Sequence, residues 1–96
     1  MLTLESRPHR REGVLAQQVS GTLVLLSLDD GQYYSLDEVG IRAWELCDGS
    51  RSVAEIISIL CQEYDAPAAT IESDVLELLA DLVNEKLVDE STDENA

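Results

Sequence analysis

The spacing of apolar residues changes character near residue 37. Before it they come in short runs and alternations of strand length; after it they recur every three to four positions, as on helices. Val14–Val19 predicts a first short strand, closed by the turn pair Ser20-Gly21. Residues 22–28 (TLVLLSL) form a nearly continuous apolar run, a second strand. Asp29-Asp30-Gly31 supplies the chemistry of a tight hairpin turn into a third strand over residues 32–36 (QYYSL). Connections this short make an antiparallel meander the economical topology.

Three helices are predicted to follow. The first covers about residues 38–47, with Asp37 as N-cap and a stop at Asp48-Gly49, where glycine can take the left-handed conformation. Gly40 inside it costs about 1 kcal/mol against Ala, which implies close packing against another backbone. The second begins at Ser52, since Ser52-Val53-Ala54-Glu55 is a capping box. Its apolar residues Val53, Ile56, Ile57, Leu60, Cys61 and Tyr64 fall on one stripe. Pro67 breaks the connection, and Thr70 is expected to cap a third helix running to about Lys86. Leu87-Val88 either extends that helix or packs as a short tail. The third helix is apolar over an unusually wide arc of roughly 160°. Ile71, Val75, Leu76, Leu78, Leu79, Leu82 and Val83 lie on it, opposite Asp74, Glu77, Asp81, Asn84 and Glu85. Either a small core takes a wide share of its last helix, or one flank of the stripe lines a groove. The fold class is α+β, a three-stranded antiparallel sheet followed by three helices.

Ninety-six residues make one domain, organised as a mobile arm over 1–13, a folded body over 14–88 and an acidic, disordered tail over 89–96. Six Lys and Arg against twenty Asp and Glu give a net charge of −14, which repels phosphate backbones and anionic lipid. Nucleic acid and membranes are therefore not expected as partners. Arg7, Arg10 and Arg11, half of the basic residues, cluster in the arm. No charged-then-apolar signal segment opens the chain and no apolar run approaches the ~20 residues of a membrane span, so the expected location is cytoplasmic.

Catalytic constellations are missing. The single histidine, His9, sits in the arm, so no nucleophile on the body has a base beside it. Cys47 and Cys61 fall on apolar helical positions and read as buried free thiols rather than a zinc site or a disulfide framework. The five glycines lie at turns and helix ends, with no phosphate-binding loop. No cofactor or metal is expected. Trp44 reads as a core anchor, and Tyr33 and Tyr34 point to opposite sides of their strand. An edge strand of this kind exposes unpaired backbone groups to another chain, which makes recognition of an extended peptide the leading function.

Three strands followed by three helices resemble a winged helix-turn-helix, yet the third helix carries acids where a DNA-reading helix needs bases. The detailed pattern resembles the peptide chaperone family of pyrroloquinoline quinone biosynthesis, the recognition element of ribosomal-peptide modification systems. The matching residues are Tyr34-Ser35-Leu36-Asp37, Ile41-Arg42-Ala43-Trp44-Glu45-Leu46, Cys47-Asp48-Gly49-Ser50-Arg51-Ser52-Val53, Ile56-Ile57, and Asp74-Val75 with Leu78-Leu79 and Leu82. Within that family the chain looks most like the stand-alone proteins of split lasso-peptide systems. The resemblance implies a non-enzymatic adaptor that binds the leader of a precursor peptide as an added strand. It would hand the leader to a separate leader peptidase, beside an ATP-dependent cyclase. Carried over residue by residue, it implies backbone pairing at Gln32, Tyr33, Tyr34 and Ser35, and a helical wall of Asp74, Val75, Leu78 and Leu82. The alternatives are a winged-helix transcriptional regulator using the basic arm, or a purely structural subunit of a modification complex.

Overall fold

The computed structural model describes residues 2–90. It contains β1 (His9–Arg10), β2 (Val14–Val19), β3 (Thr22–Ser27), β4 (Tyr33–Leu36), α1 (Glu38–Leu46), α2 (Val53–Glu63), α3 (Ala68–Asn84) and β5 (Val88–Asp89). The meander is present: β2, β3 and β4 form an antiparallel sheet in that order. Ser20 and Gly21 both have positive φ, 50° and 81°, the backbone twist that a two-residue hairpin needs. At the second hairpin Gly31 takes φ 72° and Gln32 N–H donates to Asp30 Oδ1 at 3.1 Å, so the Asp-Gly pair closes the turn as its chemistry requires.

The three helices supply most of the core. Asp37 caps α1 through Gly40 N–H at 3.2 Å, and the Ser52–Glu55 capping box of α2 is formed in both directions. Ala43, Trp44, Leu46, Cys47, Val53, Ile56, Leu60, Ile71, Val75, Leu79 and Leu82 are buried together with Leu25 and Leu36 from the sheet. A Cβ on Gly40 would lie 3.2 Å from Leu36 Cδ2, so the close approach is to a side chain of β4 rather than to backbone. The expected cap at Thr70 is not used: α3 starts three residues earlier than that cap implies, at Ala68, with Pro67 as N-cap and its carbonyl accepting from Thr70 and Ile71. A proline already at helical φ followed by two alanines starts a helix without a side-chain cap.

The main departure from expectation is the segment 2–13, which is not a free arm. β1 pairs antiparallel with β5, matching His9 to Asp89 and Arg10 to Val88. Ser6 has 0% exposure and Pro8 is fully buried. The cause is the hydrogen-bonding demand of two helix ends. Val53 and Ala54, in the first turn of α2, donate their N–H groups to the Ser6 and Leu4 carbonyls. The last carbonyls of α1, those of Trp44 and Glu45, accept from the Arg10 guanidinium at 3.1 and 2.8 Å. Leu87 and Val88 accordingly are both buried, Val88 opening β5, instead of extending the helix. Of the tail expected to be disordered, Asp89 lies in β5, and residues 91–96 fall outside the described residues.

Candidate peptide-binding cleft

β4 is an edge strand, and register decides which of its backbone groups face outward. Ser27 N–H donates to the Gln32 carbonyl at 2.9 Å, so Ser27 and Gln32 form a bonded pair. Bonded and non-bonded pairs alternate along an antiparallel ladder. With Leu25 opposite Tyr34 and Leu23 opposite Leu36, the inward-facing residues of β4 are Tyr34 and Leu36. Tyr33 and Ser35 direct their N–H and C=O groups away from β3, where no strand among the described residues adjoins them. The four expected pairing residues therefore divide. Tyr33 and Ser35 can pair with an incoming chain. Tyr34 is tied to Leu25, and Gln32 has its N–H on Asp30 and its carbonyl on Ser27.

Beside this edge runs a cleft of about 530 Å³ between the end of β4, the start of α1 and one flank of α3. Its apolar surface comes from Leu36, Val39, Val75 and Leu78, and Tyr34 and Ser35 line the strand side. From α3 come Asp74, Val75, Glu77, Leu78 and Asp81, the i, i+1, i+3, i+4 and i+7 positions of one face. Of the four residues that the resemblance implies for a helical wall, Asp74, Val75 and Leu78 line this cleft. Leu82 lines no part of the cleft: it has 0% exposure inside the core. The wide apolar arc of α3 resolves the same way, with Ile71, Val75, Leu79 and Leu82 buried and Leu78 half-buried at the cleft. Glu77 and Asp81 were not anticipated, although their i+3 and i+7 spacing from Asp74 could have marked them.

Tyr34 bridges the two sides, its hydroxyl donating to Asp81 Oδ2 at 3.2 Å. Burial, then Asp81, and more weakly Glu85 and Glu77, push that hydroxyl above the usual tyrosine range, so it remains a donor. Tyr33, on the other face, is 75% exposed. Among the described residues no group of three or more His, Cys, Asp or Glu could hold a metal ion. The Cys47 thiol is buried, donates to the Ala43 carbonyl at 3.2 Å and is pushed up to about 12, an inert state. His9 lies 3.5 Å from Asp89 and lines a separate hollow with Cys47 and Ser50, outside the cleft. The cleft offers hydrogen-bonding backbone, an apolar floor and carboxylates; what it can do is bind. No described helix is long and apolar enough to cross a membrane.

Residues 22–88 match the family described as Coenzyme PQQ synthesis protein D (PqqD). The PqqA binding protein of Xanthomonas axonopodis pv. citri is 37% identical over 87 residues, spanning 91% of this chain and 95% of that protein. The structure of TbiB1 in complex with the TbiA(beta) leader peptide is similar at TM-score 0.73 and 32% identity, over 84% of this chain and 94% of TbiB1. A lasso peptide synthetase B1 complexed with a leader peptide shares the fold at TM-score 0.73 and 21% identity, over 85% of this chain and 96% of that one. The matched stretch runs from the first residue of β3 to the first of β5 and so contains the whole cleft. The chain belongs to the PqqD family of non-catalytic recognition elements.

Proposed function

We propose that this chain binds the leader of a ribosomally made precursor peptide as an extra antiparallel strand on β4, and presents it to a separate leader peptidase and cyclase of a lasso-peptide system. The observation that carries this is the open edge at Tyr33 and Ser35, set directly beside an apolar cleft under α3. Main-chain bonds to that edge supply affinity for any extended segment, and the cleft fixes register through alternate side chains. TbiB1, 32% identical and similar across nearly all of the body, binds a leader peptide, which supports the reading. A second reading has a specific observation in its favour. The PqqA binding protein at 37% identity points to a PqqA-type precursor handled through the same edge.

The test is hydrogen exchange with the synthetic leader of the precursor encoded beside this gene. Amides of Tyr33 and Ser35 should gain protection on adding it, while those of Tyr34 and Leu36, already bonded to β3, should change little. Unchanged exchange at Tyr33 and Ser35 in a saturated complex would rule out strand addition at this edge. The neighbouring genes separate the two readings: an asparagine-synthetase-like cyclase and a peptidase mark the lasso system.

A further inference from the structure

The cleft has a pronounced charge imbalance. Asp37, Asp74, Glu77 and Asp81 line it, and no Lys or Arg does. The arginines are engaged elsewhere: Arg10 on the α1 carbonyls, Arg11 on Asp89, Arg42 on Glu63 and Glu45, Arg51 on Asp48, and Arg7 on the Ser50 carbonyl. Lys86 sits in a different hollow with Asp29, Asp30 and Asp89. Two of the cleft carboxylates have partners, Asp37 at Gly40 N–H and Asp81 at the Tyr34 hydroxyl. Asp74 and Glu77 are exposed on the cleft wall.

A strand laid on the β4 edge continues the pleat of the sheet, so alternate side chains turn toward α3. Successive side chains on that face lie about 6.8 Å apart, a span that an extended Lys or Arg side chain covers to reach Asp74 and Glu77, which lie in the same turn of α3 as Val75 and Leu78. A side chain seated on Val39, Val75 and Leu78 would therefore place its same-face neighbours within reach of Asp74 and Glu77 on the wall. An acidic neighbour there would meet like charge; a cationic one would meet its complement.

We propose that this cleft selects peptides carrying Lys or Arg on the face turned toward α3, two residues from an apolar side chain that occupies the floor. This deepens, and rests on, the strand-addition reading above. Asp74 and Glu77 act as the specificity-determining pair, and the open edge supplies sequence-independent affinity.

The test uses the full chain and a displayed library of random twelve-residue peptides. Selection is run on wild type, on Asp74→Asn/Glu77→Gln, and on Asp65→Asn/Glu72→Gln. The last pair neutralises two exposed acids away from the cleft, so both double variants carry the same net charge. Wild type and the control pair should enrich Lys or Arg at alternate positions flanking an apolar residue. Asp74→Asn/Glu77→Gln should keep the apolar position and lose the basic ones. Peptides won on wild type should bind this variant about fivefold more weakly at low salt, a gap that closes as salt screens the pairs. If wild-type winners protect Tyr33 and Ser35 yet show no basic preference, or if both double variants lose it equally, the charge selection is wrong and strand addition survives. If no peptide is enriched on wild type, or winners leave the β4 edge unprotected, strand addition itself fails and the charge selection falls with it.

Discussion

Tyr33 and Tyr34 are chemically identical neighbours that do opposite things, because one step along a strand reverses both the side chain and the backbone groups. Tyr33 is 75% exposed and faces its N–H outward; Tyr34 is half-buried, reaches Asp81 and faces its N–H toward Leu25. A proline at each position should separate the two roles. Tyr33→Pro removes an outward donor at a sheet edge, where proline is tolerated, so we expect an intact fold by circular dichroism and loss of leader binding in a pull-down. Tyr34→Pro removes an inward ladder bond and should cost stability, about 2 kcal/mol in urea denaturation. Leader binding by a folded Tyr33→Pro chain as tight as wild type would place recognition elsewhere. The aromatic pair was visible in the sequence, but which member faces outward followed from the bonded pair Ser27–Gln32, a fact of register.

Helix ends explain the elements that local pattern missed. The segment 2–13 has no apolar period, so it reads as an arm; its ordering comes from the carbonyls and N–H groups that α1 and α2 leave unmatched at their junction. Arg10 also lies over Trp44, 6.0 Å from the ring centroid. Arg10→Ala should therefore destabilise the fold by about 1–2 kcal/mol in chemical denaturation, whereas a free arm would give no change. The α2 cap makes a pH-dependent contribution. The bond from Ser52 N–H holds the Glu55 carboxyl below the usual carboxylate range. A depressed folded-state value means stability that is complete above the unfolded pKa and lost as pH falls through the folded one. The wild-type advantage over Glu55→Gln in urea midpoint should be present at pH 7 and shrink as pH drops below the usual carboxylate range. An advantage independent of pH would mean the carboxylate charge contributes nothing to the cap.

At the scale of the whole molecule, a winged-helix outline is combined with a charge of −14, and α3, the helix in the place of a DNA reader, presents Asp74, Glu77 and Asp81. Such a surface gains little from counterion release, so gel shifts with random duplex and with the neighbouring promoter should show no complex at physiological salt. A tight, sequence-specific complex would favour a regulator instead. Composition and period were enough for the strand-to-helix order, the two hairpin turns, the Asp37 and Ser52 caps and the Trp44 anchor, because each depends on residues within a few positions of one another. Tertiary structure alone decided three things: that residues 2–13 pack against the body, that Tyr33 and Ser35 rather than Gln32 and Tyr34 form the open edge, and that Leu82 is core while Leu78 is cleft. Each is settled by partners far away in sequence, β5 and two helix ends for the first, β3 for the second, α2 and α1 packed against α3 for the third. A periodic stripe records that a residue is apolar; only packing determines which neighbour it meets.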